Sequence, residues 1–433
     1  MNKLYLILTF LSIATFFFIM FFTEKDKNRA YLKFILIGFP FMAITISYND
    51  FAFAIFDIVT FIFILFLYKR KMFNIKTEGV YTILFIILTI TILIGLFFAE
   101  SLTSESLRVS IQYVSIVIFA KILIEECYAD RTYFFTIINY LKIALITSLL
   151  FLVCQFIFGT GFTFDKTTNI NVLSGTNIRY PSYFQDPQKY AQFLSAVSFL
   201  FLIKDPFSKK LSIFNYFLLI LTLVALLYTG GRAALGGLFL GISIILLFGR
   251  SQYKLVLTTC VVVMAFIAFN FSSNFAMLNR GATLTDAYDF RYSIWQDAYK
   301  IFQSHPLFGI GMGNYANYVY VHNPDQFWVI DHEITYFDHP ESGYLKLLTE
   351  FGIVGFIALF SLLLLTIYKV LKQYTSQRDN DLLLLIAALG TWFVGFYTVY
   401  SLGDLRIRLL ILVFSLLLFT RYKWNLIDAK EQA

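Results

Sequence analysis

Residues 339–368 read HPESGYLKLLTEFGIVGFIALFSLLLLTIY, a polar segment that runs directly into an apolar one. The apolar part, from about residue 342, is longer than the roughly 20 residues that a helix needs to cross a hydrocarbon core about 30 Å thick. Similar apolar runs recur along the whole chain, without the period-two alternation that is typical of transmembrane strands. The pattern indicates that membrane-spanning helices build this fold.

The composition supports the same conclusion. Hydrophobic residues make up 59% of the 433 residues and charged residues 14%, whereas about a quarter of the residues are charged in soluble domains. The mean hydropathy is +0.73. We predict an all-α integral membrane protein, a polytopic helical bundle of about 13 transmembrane helices (12–14). The apolar runs are 4–22, 31–48, 51–68, 80–99, 107–125, 133–158, 189–203, 212–228, 232–248, 254–271, 342–368, 382–401 and 406–420.

Lysine and arginine concentrate in alternate connections between these runs, which predicts that those connections are cytoplasmic. The remaining topology follows from this assignment. Two long loops, 159–188 and 272–341, then face outward, and the C-terminus faces inward. No internal repeat or long linker divides the chain, so residues 1–433 are expected to form one membrane domain, with residues 1–22 kept as a first helix.

Several classes of site are not indicated by the sequence. Cys127, Cys154 and Cys260 lie in or beside apolar runs without a CxxC spacing. The four histidines lack a compact ligand spacing, and GxxxxGK[ST] is absent. We therefore expect no metal and no cofactor. The net charge of +7 does not by itself indicate an acidic partner, and we expect no nucleic acid partner.

The second long loop contains two local patterns. Tyr288, Trp295, Tyr299 and Phe302 recur at helical spacing, which predicts an amphipathic helix at the membrane surface. The glycines of the following GIGMG segment (309–313) come after a helix and a proline, not after a strand. They predict a tight re-entry or loop crossing rather than a nucleotide site.

Three arginines are candidates for binding an anion. Arg232, in YTGGRAALGG, stands at membrane depth, where a charge usually faces a cavity or a partner; the alternative is a side chain that extends to the membrane surface. Arg179 lies in the first long loop, and Arg291 opens the amphipathic helix, where pairing with Asp289 or Asp297 is the alternative. Because guanidinium groups bind phosphate oxygens bidentately, the three form a candidate polyanion site.

Carboxylates and a histidine supply candidates for proton transfer. Glu341 stands where the second long loop enters a helix, so it either offsets the helix dipole or acts as a general base. His339, two residues earlier, is the second candidate for the base. Asp186 precedes Pro187, and a helix N-cap is favoured over a place in the substrate site.

The segments GGRAALGGLFLG (230–241), RYSIWQDAYKIFQSHPLFGIGMGNY (291–315) and ESGYLKLLTEFGIVG (341–355) resemble the motif set of the O-antigen ligase and polymerase superfamily. RYPSYFQDPQKYAQFL (179–194) is similar to the arginine-containing segment of the polymerase (Wzy-type) branch. The resemblance covers residues 179–355, and the preceding helices match only in hydropathy.

The resemblance implies a metal-independent glycosyltransferase of the bacterial inner membrane, with its active site on the periplasmic face. Its substrates would be a polyprenyl (undecaprenyl) diphosphate-linked oligosaccharide donor and acceptor, taken from the membrane lipid, and a chain-length regulator protein is a candidate partner. Arg179, Arg232 and Arg291 would hold the diphosphate, with Asp186 and Tyr344 as further substrate-binding candidates.

One departure from the family pattern separates the alternatives. Family ligases carry a His-Asn pair before the aromatic-Leu pair, and the alignment of Tyr344 and Leu345 places Glu341 and Ser342 at those positions. This favours a polymerase of lipid-linked repeat units, such as an O-antigen, that adds the growing chain to the next repeat with inversion. A ligase-type or protein-glycosylating transferase with the same donor stays open, as does a polysaccharide flippase.

Overall fold

The computed structural model describes residues 15–16, 18–19, 21–48, 51–66, 79–98, 103–163, 173–174, 177–184, 186–203, 213–275, 277–278, 284–322, 327–330, 333–336, 339–374 and 378–431. The helices there are α1 (Lys27–Ile37), α2 (Phe39–Met42), α3 (Ile55–Phe66), α4 (Gly79–Phe98), α5 (Ser104–Ala129), α6 (Tyr133–Phe158), α7 (Pro187–Val197), α8 (Ile213–Thr229), α9 (Arg232–Phe248), α10 (Ser251–Asn270), α11 (Leu284–Ser304), α12 (Tyr315–His322), α13 (Gly343–Tyr374), α14 (Asn380–Phe396) and α15 (Leu405–Glu431). Three short antiparallel hairpins accompany them: β1 (Thr45–Tyr48) with β2 (Phe51–Ala54), β3 (Leu173–Ser174) with β4 (Asn177–Ile178), and β5 (Phe327–Ile330) with β6 (Glu333–Tyr336).

The predicted all-α membrane bundle is confirmed. Within the described residues, five helices are long and apolar enough to cross a membrane, and four shorter helices are also apolar. The long ones are α4, α5, α6, α10 and α13. The run 133–158 coincides with α6, and the run 232–248 coincides with α9. Long uninterrupted apolar runs therefore predicted these helices to within a few residues.

Three predicted spans are wrong in their extent. The runs 31–48 and 51–68 are not two continuous helices, because β1 and β2 pair at their junction, with Thr45 opposite Ala54. The run 189–203 holds the 11-residue α7 followed by a 3-10 turn at Ser198–Leu202. Alternating β-branched and aromatic residues around 45–54 are compatible with either structure, and apolarity alone does not distinguish them. The run 4–22 lies largely outside the described residues.

Helix α9 packs closely along α14. A Cβ added at Gly237 would lie 2.3 Å from the Thr391 carbonyl oxygen, and one at Gly241 would lie 2.6 Å from the Thr391 hydroxyl. Small residues four positions apart allow two membrane helices to approach with their backbones nearly in contact. This packing holds α9, which begins at Arg232, against α14.

Helix α13 is broken at Gly352, whose φ of 61° and ψ of −172° are not helical. The break frees backbone groups on both sides, and the segment Pro306–Gly311 pairs with them. Ile310 N–H donates to the Thr349 carbonyl at 2.9 Å, and Ile353 N–H donates to the Pro306 carbonyl at 2.8 Å. A side chain at Gly352 would lie 2.3 Å from the Leu307 carbonyl oxygen. The predicted loop crossing is thereby confirmed.

Paired charges hold one end of the bundle together. The ion pairs there join Arg29 with Glu126 at 3.1 Å, Arg131 with Asp428 at 2.8 Å and Arg421 with Asp379 at 2.8 Å. Each pair links connections that the charge distribution assigns to one side of the membrane. The candidate site residues lie at the other end, where α6 and α14 finish and α15 begins.

Candidate functional site

The segment from Arg179 to Phe184 forms the wall of the site. Its backbone is tied to the end of α8, because Tyr180 N–H donates to the Tyr228 carbonyl at 3.2 Å. The Arg179 side chain also contacts the end of α8, because its Nε donates to the Thr229 carbonyl at 2.9 Å. Gly230, with φ of 70°, packs beneath it, and a Cβ there would lie 3.0 Å from Arg179 Nε. The glycine therefore makes room for the arginine.

The Arg179 guanidinium is buried and incompletely paired. The residue is 4% exposed, and its Nη2 has no hydrogen-bond partner among the described residues. Burial lowers the pKa of Arg179, the Asp186 and Glu341 carboxylates raise it, and Arg291 lowers it. A buried charge without a partner is unfavourable for folding, so this nitrogen has the character of a ligand-binding group.

Glu341 lies between two cationic or potentially cationic groups. Its Oε2 is 3.3 Å from Arg291 Nη2, and its Oε1 is 3.5 Å from His339 Nε2. All three side chains are between a fifth and a quarter exposed. Glu341 has φ of 48°, a left-handed conformation that non-glycine residues rarely adopt. Strain of this kind is frequent at functional sites.

Arg232 is the first residue of α9 and is half-buried. Its N–H donates to the Gly230 carbonyl at 3.1 Å, so its backbone lies next to the glycine that packs against Arg179. In the described part of the chain, its guanidinium forms neither a hydrogen bond nor an ion pair. Arg179 has a buried donor nitrogen without a described partner and Arg232 has no described side-chain partner, whereas Arg291 is paired with Glu341.

Asp186 and Tyr344 have defined structural partners. Asp186 caps α7 and accepts from the Gln188 N–H at 2.8 Å, which confirms the N-cap interpretation. The Tyr344 hydroxyl donates to the Phe393 carbonyl at 2.7 Å, and its ring packs against Phe396. The predicted substrate contacts of these two residues stay predictions.

The amphipathic helix is present as α11, and residues other than the aromatic ones that indicated it form the side buried in the protein. Ile294, Ala298 and Ile301 are buried, whereas Tyr299 is 51% exposed. Aliphatic residues at this spacing pack against the protein, and the aromatic residues lie around the edge of that face. Asp297, one of the alternative partners of Arg291, pairs instead with Lys300 at 2.9 Å.

Two buried ion pairs near the site were not predicted from the sequence. Lys346 Nζ lies 3.0 Å from Glu350 Oε1 and 4.8 Å from the centre of the Tyr315 ring. Arg406, 1% exposed, lies 2.6 Å from Asp404 through Nη2. The signal was present in both cases, because a charged residue inside or beside an apolar run needs a partner.

The described residues contain no group of three or more His, Cys, Asp or Glu side chains that is arranged to hold a metal ion. The site that the structure assembles is made of arginines and one carboxylate-histidine pair. Arg179, Arg291, Glu341, His339 and Asp186 lie together, and the backbone of Arg232 borders them. Such a set can bind an anion and accept a proton within the same small volume.

A comparison with family models matches part of the chain. Residues 217–360 match the family model described as O-antigen ligase. This match covers about a third of the chain, and it supports the resemblance of residues 179–355 to the O-antigen ligase and polymerase superfamily. The matched range includes Arg232, Arg291, His339 and Glu341, whereas Arg179 lies before it. Members of this superfamily are glycosyltransferase-like enzymes of glycan assembly, which implies lipid-linked oligosaccharide substrates in general terms. No curated protein matches the chain.

Proposed function

We propose that the protein is a polymerase of lipid-linked polysaccharide repeat units. The donor is the growing glycan on a polyprenyl diphosphate, and the acceptor is the distal sugar of the next lipid-linked repeat. The supporting observation is the juxtaposition of Glu341, paired with Arg291 at 3.3 Å, and Arg179, whose Nη2 is unpaired among the described residues. One group accepts a proton, and the other binds a leaving diphosphate.

The reaction is a single displacement at the anomeric carbon. The acceptor hydroxyl oxygen forms the new bond to this carbon, while the bond from carbon to the diphosphate oxygen breaks and its electron pair leaves with the diphosphate. The hydroxyl proton passes to a Glu341 carboxylate oxygen. Because attack and departure occur on opposite faces, the anomeric configuration inverts, and no glycosyl-enzyme forms.

Stabilisation of the leaving diphosphate makes the largest contribution to the rate. Preorganised donors aimed at a developing charge typically contribute about 10²–10³ in rate each. Arg179 is held in place by Thr229 and Gly230 before any substrate arrives. Arg291 is shared with Glu341, so a diphosphate that attracts Arg291 also releases the carboxylate for proton transfer, a step worth on the order of 10²–10⁴ in rate.

A ligase-type transferase is the second candidate, and one observation favours it. His339 Nε2 lies 3.5 Å from Glu341 Oε1, so a histidine is available as the base, as in family ligases. In that case the donor chemistry is unchanged, and the acceptor is another molecule. The side of the membrane follows from the charge distribution, which orients this end of the bundle outward.

The test is the profile of surface and lipid-linked glycan in cells that lack the gene, complemented with wild type, Glu341→Gln or His339→Gln. If the protein is a polymerase, single repeats should still reach the surface of cells that lack the gene, and the ladder of long glycans should be lost. Glu341→Gln should then fail to restore the ladder although the variant is present in the membrane at the wild-type level. Accumulation of long chains on the lipid carrier would instead establish a ligase, and absence of any repeat from the outer face would establish a transporter.

A further inference from the structure

Gln155, near the end of α6, is a buried amide in a long apolar helix. It is 1% exposed and lies in the run LLFLVCQFIF. A polar side chain in such a run requires hydrogen-bond partners, because the surrounding apolar groups offer none. The sequence alone does not say where these partners are, since none of the neighbouring residues in α6 can provide them.

The partner of Gln155 is the backbone of Ser182. Ser182 N–H donates to Gln155 Oε1 at 2.9 Å, and Gln155 Nε2 donates to the Ser182 carbonyl at 2.7 Å. The amide thus binds both polar groups of one residue, as a neighbouring strand would. The same Nε2 also donates to the Phe162 carbonyl at 3.1 Å, so both N–H groups and the oxygen of this side chain have partners.

Ser182 is a residue that requires such support. Its φ is 54°, in the left-handed region, and it is fully buried. A non-glycine residue there is strained unless its surroundings hold it. The Ser182 hydroxyl adds a third bond to α6, because it donates to the Ser148 carbonyl at 2.7 Å. The turn at Ser182 is therefore fixed on α6, three residues after Arg179.

We infer that Gln155 is a positioning residue for Arg179, which acts by holding the turn at Ser182 and thereby keeping the Arg179 guanidinium aimed at the donor diphosphate. This inference rests on the proposed function, because it takes Arg179 as a diphosphate-binding residue. The other end of the segment is anchored to the end of α8, because Tyr180 N–H donates to the Tyr228 carbonyl and Arg179 Nε donates to the Thr229 carbonyl. Without Gln155 the backbone of Ser182 has no bond to an α6 side chain, and the segment keeps that anchor, the Ser182 and Tyr183 hydroxyl bonds to α6 carbonyls, and the contact of Arg406 with the Tyr183 carbonyl.

The experiment measures the affinity of the purified protein in detergent for farnesyl diphosphate, in a double-mutant cycle. The variants are Gln155→Met, Arg179→Met and the two combined. The matched control is Gln192→Met, because Gln192 is also a buried glutamine, and neither atom of its amide has a hydrogen-bond partner among the described residues. Melting temperature and size-exclusion profile are recorded for every variant.

We expect Gln155→Met to weaken binding by about 10-fold, which is at the low end of the effect of removing a supporting residue in a preorganised site. In the Arg179→Met background the same change should have no further effect, since two residues that act through one contact are not additive. Gln192→Met should stay within about twofold of wild type.

Two results would overturn the inference. One is an equal loss from Gln155→Met in both backgrounds, which would mean a general effect on the fold; the other is a loss no larger than that of Gln192→Met. If Gln155→Met does not fold, Gln155→Asn, which is too short to hold both Ser182 groups, is used with the same expectations. Wild-type affinity in Arg179→Met would contradict the proposed function instead, so the two failures are distinguishable.

Discussion

Arg179, the first residue of the segment 179–184, and Arg406, which contacts that segment, are both buried arginines, and their surroundings differ. Arg406 binds Asp404 through Nε and Nη2, at 2.9 and 2.6 Å, and donates to the Tyr183 carbonyl. It also stacks on the Phe184 ring at 4.5 Å. Arg179 has one hydrogen bond, to Thr229, and a buried Nη2 without a described partner.

This difference is the one expected between an arginine that holds the fold together and an arginine that binds a ligand. A guanidinium whose donors are matched by a carboxylate and a carbonyl has no binding capacity left, and its removal leaves a buried carboxylate unpaired. A guanidinium that is held in place but not neutralised destabilises the resting protein and has capacity for an anion. On this comparison, we propose that Arg406 maintains the wall of the site and that Arg179 binds the substrate.

The largest expected effect is the loss of stability in Arg406→Met. Removal of one partner from a buried ion pair typically destabilises a protein by about 3–5 kcal/mol, because the other charge stays buried. Melting temperature in detergent measures this. The double variant Arg406→Met/Asp404→Leu should recover most of the loss, and unchanged melting in the single variant would remove the basis of the comparison.

Arg179→Met should give the opposite pattern. We expect turnover to fall by about 10²–10³, the typical effect of one preorganised donor, while melting temperature stays equal or rises because a buried unpaired charge is gone. Transfer rate and melting are measured on the same preparation. A fall in melting temperature as large as that of Arg406→Met would make Arg179 a structural residue as well.

Arg232→Met extends the comparison to a half-buried arginine. Its guanidinium has no partner in the described part of the chain, so the change should alter stability by less than about 0.5 kcal/mol. Loss of the hydrogen bond from Arg232 to the charged diphosphate of the donor substrate should slow turnover roughly 10- to 100-fold. A rate equal to wild type would indicate that Arg232 only extends to the membrane surface.

The smallest expected effect is on pH dependence. Burial by itself raises the pKa of Asp404, but the charge and hydrogen bonds of Arg406 outweigh it, so the pKa lies below the ordinary value. A lowered folded-state pKa gives stability that is present above the unfolded value of about 3.9 and is lost as pH falls through the folded value. We therefore expect Asp404 to leave the dependence of melting temperature on pH unchanged between pH 7 and about pH 5. Below about pH 5, the melting temperature of Asp404→Asn should fall less steeply with decreasing pH than that of wild type. A slope difference near neutral pH would contradict this.

The sequence predicted the helices and several site residues because their signals are local. Apolar length indicates a membrane helix wherever it occurs, and the polar segment around Glu341 is visible against apolar neighbours. The proximity of Arg179 to Arg291 and Glu341 needed the fold, since Arg179 precedes both of them by more than a hundred residues. No periodicity encodes that distance.

Other features escaped prediction because their partners are backbone groups or distant residues. Gln155 is visible as a polar residue in an apolar run, but its partner Ser182 is fixed by the conformation of a turn. The break at Gly352 depends on a loop that precedes it by more than forty residues. The three glycines of that loop indicated a tight crossing, and only the structure identifies α13 as the helix that is crossed.

The most direct test of the central claim uses purified protein with a polyprenyl diphosphate-linked repeat at saturating concentration, with products resolved by mass. We expect wild type to release polyprenyl diphosphate and to form a lipid-linked glycan extended by one repeat. Arg179→Met should do so about 10²–10³ times more slowly, with a melting temperature that is equal or higher. Equal rates for wild type and Arg179→Met would contradict the claim that this unpaired arginine binds the leaving diphosphate.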